Sequence, residues 1–74
     1  MPNIERVVVG VEGAVAHVEL NRPDKRNALD VQMFQGLLGA GRQLISNRDI
    51  RAVVVSGRGQ AFCAGLDFLQ FMHI

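Results

Sequence analysis

The stretch Gly57-Arg58-Gly59-Gln60-Ala61-Phe62-Cys63-Ala64-Gly65-Leu66-Asp67 constrains this chain more than any other. An apolar run, Ala52-Val53-Val54-Val55-Ser56, precedes it, and a second, Phe68-Leu69-Gln70-Phe71-Met72, follows. That order predicts a strand, a glycine-rich loop and the start of a helix. The glycines permit backbone conformations and close approaches that side chains would block. The first turn of a helix presents N–H groups without intrahelical partners at the positive end of the macrodipole. Such a junction suits an anion, or an oxygen becoming one, held by backbone amides.

Upstream, residues 4–11 are rich in β-branched types and predict a strand, and Glu12-Gly13 fits a two-residue hairpin turn. Residues 14–20 alternate, with Ala14, Ala16, Val18 and Leu20 on a buried face and Val15, His17 and Glu19 on a wetter one. The segment Asn21-Arg22-Pro23-Asp24-Lys25-Arg26-Asn27 breaks the pattern and reads as a charged surface loop. Asp30 is placed to cap a helix over residues 31–46, whose Phe34, Leu37, Leu38, Gly41, Leu44 and Ile45 recur at helical spacing. Gly36, Gly39 and Gly41 each cost that helix about 1 kcal/mol relative to alanine, which points either to close packing of another element or, more plainly, to a marginal helix. Asn47-Arg48-Asp49 ends it.

Two of these segments together resemble the crotonase (enoyl-CoA hydratase/isomerase) superfamily. The glycine-rich loop is similar to that family's Phe-Cys/Ser/Ala-Ala/Gly-Gly-x-Asp signature, and Asn21-Arg22-Pro-x-x-x-Asn27-Ala28-Leu29 before a capped helix is similar to its second hallmark. Both occur in the family's order and spacing, and the resemblance runs from about residue 5 to residue 71. It implies an α/β chain forming the N-terminal portion of a crotonase-like ββα spiral: hairpin, helix, strand, glycine-rich loop, start of a helix. Residues 1–74 are then expected to be an incomplete N-terminal segment of a single domain, the last apolar residues being too few to form a stable helix alone.

The resemblance also implies roles. The backbone N–H of Leu66 would be one half of an oxyanion hole for the thioester carbonyl of an acyl-CoA. Ala28 and its loop would line the pantetheine and adenine side of CoA, Lys25 or Arg26 would lie near the phosphates, and Ala64 would flank the adenine. Asp67 falls where the family has an acid at the helix start, a structural group rather than a general base, and both it and Phe68 beside it join the CoA-binding set. Polarising the thioester stabilises the enolate-like state reached by adding water at C3 or removing a proton at C2. Other groups then choose the reaction. In hydratases two glutamates and the second oxyanion donor come from further downstream, whereas Glu5, Glu12 and Glu19 all lie in the opening hairpin. The chain is therefore expected to hold half an oxyanion hole and part of a CoA pocket, and not to turn over substrate alone. Coenzyme A is part of the substrate, so no separate cofactor is implied; a homotrimer or dimer of trimers is the family's expected assembly.

Composition narrows the alternatives. Hydrophobic residues at 49% and charged ones at 20% indicate a globular chain, although 74 residues leave only a thin core. A net charge of +1, with bases scattered among acids, gives no footprint for nucleic acid or a membrane surface. A single cysteine, with no apparent targeting segment or membrane-spanning run, leads to the expectation of a reducing, cytoplasmic setting. Cys63 reads as a packing residue, and His17 and His73 are too isolated to suggest a metal site. Phe62, Phe68, Phe71 and Met72 read as core or subunit interface rather than an acyl pocket. A nucleotide-binding module shares the order of strand, glycine loop and helix, but Gly57-x-Gly59-x-x-Phe62 lacks the third glycine and no Gly-Lys-Ser/Thr follows. A dienoyl-CoA isomerase is a close alternative on the Gly-Leu-Asp-Phe wording, and an inactive fragment or assembly piece is the alternative of a different class.

Overall fold

The computed structural model describes residues 5–72. Position 4 of the first expected strand, and His73 and Ile74 at the other end, lie outside the described residues. The elements are β1 (Val7–Glu12), β2 (Val15–Leu20), a 3-10 turn (Pro23–Lys25), α1 (Val31–Ile45), β3 (Ala52–Gly57) and the short α2 (Phe68–Phe71). The strands form one sheet in the order β1-β2-β3. β1 and β2 are antiparallel and β2 and β3 parallel, so α1 is the crossover of a βαβ unit. The α/β class and the ββα order expected from the sequence are those observed.

The hairpin turn is one residue later than expected. Glu12 pairs with Val15, which extends the ladder and leaves Gly13-Ala14 as the two-residue connection. Alternation along β2 holds for Ala16, Val18 and Leu20, which are buried while His17 is exposed, but Ala14, expected on the buried face, is exposed in the turn. In the register Val7 opposes Leu20, Val9 opposes Val18 and Val11 opposes Ala16, so one sheet face carries the apolar set toward α1.

Asp30 caps α1 as expected, accepting the Met33 N–H at Oδ1 (2.8 Å), and Ser46 is the C-cap rather than the last helical residue. The helix face is the expected one only in part, at Leu37 and Leu44. Met33, Leu37, Ala40 and Leu44 pack on Val7, Val9, Val18 and Leu20, whereas Phe34, Leu38 and Ile45 are exposed. Six apolar residues in the expected stripe span more of the helix than one sheet face can cover, and α1 lies over β1 and β2. The smaller Ala40 lets the helix approach the sheet, so the inward stripe is the one that carries it. Of the three helix glycines, only Gly36 answers to close packing: a Cβ there would sit 2.9 Å from Val7 Cγ2, while Gly39 and Gly41 face open space. Gly39 and Gly41 therefore lower helix propensity with no packing in return.

β3 is exposed on both faces along Val53, Val54 and Val55, having α1 over its neighbours and only β2 at its side. Its role in the fold is to deliver the chain at Gly57 into the glycine-rich loop.

Candidate functional site at the junction of two loops

The segment expected to be a charged surface loop instead holds, with Asp30, the buried polar side chains among the described residues. Asn21, Arg22, Asn27 and Asp30 are all buried, and Asn27 is fully so. Pro23, Asp24, Lys25 and Arg26 alone form the exposed crest. Asn27 explains the burial. With φ at +58° its backbone turns left-handed, an arrangement asparagine tolerates better than most residues. Its side-chain oxygen accepts the Arg22 N–H (2.7 Å), and its Nδ2 donates to Arg58 O (3.0 Å) and Ala61 O (2.8 Å). One amide thus closes its own loop and clamps the glycine-rich loop to it. The clamp requires glycine at 57, because a Cβ there would collide with the Phe62 carbonyl oxygen and sit 2.7 Å from Asn27 Nδ2.

Two further backbone links complete the junction. Ala64 N–H donates to Arg26 O (2.9 Å), and Leu29 and Leu66 form a parallel bridge. In that bridge Leu29 N–H donates to Gly65 O (2.7 Å) and Asp67 N–H donates to Leu29 O (2.9 Å). Gly65 reaches it with φ at +95°, a conformation a side chain would strain. Because Leu29 bonds to the residues on either side of Leu66, the Leu66 amide lies on the opposite edge, where it has no hydrogen-bond partner among the described residues.

Beside the bridge lies an open cleft of about 380 Å³ lined by Arg22, Lys25, Ala28, Leu66, Asp67, Phe68 and Leu69. Of the residues singled out in the sequence, Lys25, Ala28, Leu66, Asp67 and Phe68 meet there, from positions some forty residues apart in the chain. Arg26 and Ala64 do not line it; they are bonded to one another beside it. Leu66, Phe68 and Leu69 supply exposed apolar surface and Lys25 an exposed cation. Phe62 and Met72 are exposed too, so neither is part of a core within this chain, and nothing is described of the Phe71 side chain. Cys63 packs against the core, with its Sγ accepting the Gly65 N–H at 3.5 Å, and among the described residues no cluster of three metal-ligating side chains occurs.

Arg22 is the residue sequence reasoning missed. Its Nη1 donates to Asp67 Oδ2 (2.8 Å) and to Ala28 O (3.1 Å) and lies 3.6 Å from Asp30 Oδ2. Asp30 Oδ2 also accepts from Arg6 Nε (3.2 Å) and Nη2 (3.0 Å), so acids and bases alternate from Arg6 to Asp67. Burial pushes the Asp30 carboxyl up, but the Arg6 hydrogen bond, the Met33 amide and the charges of Arg22 and Arg6 outweigh it. The group ends below the ordinary aspartate value. A proline-adjacent arginine two residues after a strand was the available signal, but its partner Asp67 lies far along the chain.

The model of the enoyl-CoA hydratase/isomerase family matches residues 10–74. The chain belongs to that family, within the crotonase superfamily. It is 40% identical over 63 residues to the mitochondrial Delta(3,5)-Delta(2,4)-dienoyl-CoA isomerase of Mus musculus, covering 85% of this chain and 19% of that protein. It is also 40% identical over 67 residues to the probable enoyl-CoA hydratase EchA14 of Mycobacterium tuberculosis, covering 90% and 26%. Among solved structures, an enoyl-CoA hydratase of Mycobacterium tuberculosis superposes with a TM-score of 0.90 at 28% identity, over 96% of this chain and 28% of that one. The chain thus spans 19% to 28% of the length of these relatives.

Proposed function

We propose that the cleft between the two loops binds an acyl-CoA, with the Leu66 N–H directed at the thioester oxygen as one donor of an oxyanion hole. The observation that carries this reading is the Leu29–Leu66 bridge, which occupies the Gly65 carbonyl and the Asp67 N–H and leaves the N–H of Leu66, a residue that lines the cleft, without a partner among the described residues. A neutral carbonyl gains little from such a donor, and an enolate oxygen gains much more, which is the differential that accelerates a reaction. Lys25 on the exposed crest is the cation at the cleft for the CoA phosphates, and Ala28 and Phe68 contribute lining along the ligand. Asp67, the acid at the cleft, is paired with Arg22, which suits a fixed anion rather than a proton shuttle.

The reaction class is that of an enoyl-CoA hydratase or isomerase, and family relatives carrying both names support it. Similarity to a dienoyl-CoA isomerase, with Gly65-Leu66-Asp67-Phe68 in this chain, favours an isomerase as the second reading. In either case this chain supplies binding and half of the polarising site, and proton transfer falls to acids it does not bring to the cleft: Glu5, Glu12 and Glu19 belong to the hairpin or its approach.

Leu66→Pro tests the reading because it deletes the N–H while leaving both bridge hydrogen bonds to Leu29 available. Binding of butyryl-CoA is expected to weaken by about threefold to tenfold, the worth of one ordinary hydrogen bond. Unchanged binding in a folded variant would remove Leu66 from the site.

A further inference from the structure

We propose that Arg22 is a positioning residue for the Leu66 amide, holding it through Asp67 and Ala28 at the edge of the cleft. The proposal rests on the acyl-thioester reading above and deepens it. Arg22 is itself fixed at the backbone: its N–H donates to Asn27 Oδ1 (2.7 Å), and its carbonyl accepts from Lys25 N (3.1 Å) and Asn27 N (2.8 Å). From that anchor a single nitrogen, Nη1, spans the two segments of the Leu29–Leu66 bridge, gripping Ala28 O on one and Asp67 Oδ2 on the other. The side chain is only 8% exposed, so its charge is poorly solvated and depends on these partners.

Two linkages therefore act on Leu66, one on each side. The bridge to Leu29 sets its strand-like direction, and the Arg22–Asp67 pair fixes the next residue, so the peptide carrying the Leu66 N–H cannot rotate without breaking one of them. α2 is too short to impose that orientation itself. Donor alignment matters because a hydrogen bond weakens steeply as its angle departs from linear. Arg22 then affects the ligand's carbonyl more than the rest of the ligand.

This difference is measurable with two probes: butyryl-CoA, and S-butyl-CoA, the thioether that lacks the carbonyl oxygen. The chain is expected to prefer the thioester, and Arg22→Met to reduce that preference by about threefold to tenfold, with thioether affinity unchanged. Asp67→Asn, which keeps the shape but removes the charge facing Arg22, is expected to act in the same direction. Because one nitrogen makes all the contacts, a lysine ammonium with three donors can reproduce them. Arg22→Lys is therefore expected to retain most of the preference. Equal weakening of both ligands in Arg22→Met would overturn the proposal and leave Arg22 a scaffold residue. The amide resonance of Leu66 in the 15N-labelled chain is a second, ligand-free readout: it should move in Arg22→Met and Asp67→Asn while those of Ala16 and Val18 stay in place. A Leu66 resonance unmoved in both variants would also overturn the proposal. Failure of the parent chain to bind either ligand would sink the acyl-CoA reading, and the Leu66 resonance would then decide the role of Arg22 alone.

Discussion

The two loops that meet at Asn27 and the surface formed by β3 with the outer side of α1 are built on opposite principles. At the loop junction polar groups are buried and each buried side-chain nitrogen or oxygen among the described residues has a hydrogen-bond partner. On β3 and α1 apolar groups face water: Val53, Val54 and Val55 are each close to half exposed and Ile45 is 86% exposed. Burying a polar network is costly unless it is fully satisfied, so such a network specifies one arrangement of its loops. Apolar exposure specifies nothing by itself. The difference places positional precision at the cleft and leaves the other surface indifferent to detail.

Substitutions at the clamp should break the comparison most strongly. Gly57→Ala forces a Cβ against the Phe62 backbone and Asn27, which cannot move without releasing the glycine-rich loop. It is expected to destabilise the chain by about 3 kcal/mol, read as a lower denaturation midpoint. Asn27→Ala strands the buried Arg22 N–H and leaves the Arg58 and Ala61 carbonyls without their donor, at about 2 to 3 kcal/mol. Either variant at parent stability would show that the junction is less constrained than its geometry indicates.

Asp30 sharpens the contrast through pH. Its folded pKa lies below the ordinary aspartate value, so the ionised form is preferentially held by the native state. That stabilisation is complete well above the unfolded pKa of about 3.9, and it is lost as pH falls through that value and the lower folded one. Stability should decline over this acid range in the parent chain, and Asp30→Asn should flatten the decline. Near neutrality Asp30→Ala, which also removes the α1 cap, is expected to cost about 1 to 2 kcal/mol. An identical acid profile in Asp30→Asn would show that the carboxylate is not held by its native partners.

The smallest effect belongs to the apolar surface. Ile45→Lys at the last turn of α1 is expected to shift stability by less than about 0.5 kcal/mol. A loss of about 2 kcal/mol, the scale of a core truncation, would mean that Ile45 is buried in the folded chain.

Local chemistry made much of this fold legible. The hairpin strands, the Asp30 cap, the extent of α1 and the strand before the glycine-rich loop all follow from patterns a few residues long. What escaped was set by distance in the chain. Arg22 and Asn27 look like surface charge and polarity because their partners, Asp67, Arg58 and Ala61, lie more than thirty residues on. The inward stripe of α1 was misjudged for a related reason: periodicity finds the apolar residues of a helix, but only the sheet decides which stripe it covers. The candidate site residues were found by motif, and their gathering was visible only after folding, when Lys25, Ala28, Leu66, Asp67 and Phe68 lined one cleft while Arg26 and Ala64 bonded beside it.

The most direct test of the central claim is a map of amide chemical-shift changes in the 15N-labelled chain as butyryl-CoA is added. The largest changes are expected at Leu66, with Ala28, Lys25 and Asp67 around it, and none at Leu38, Ile45 or Val54. Changes centred on Leu38, Ile45 and Val54, with Leu66 still, would contradict the account and move binding to the apolar surface.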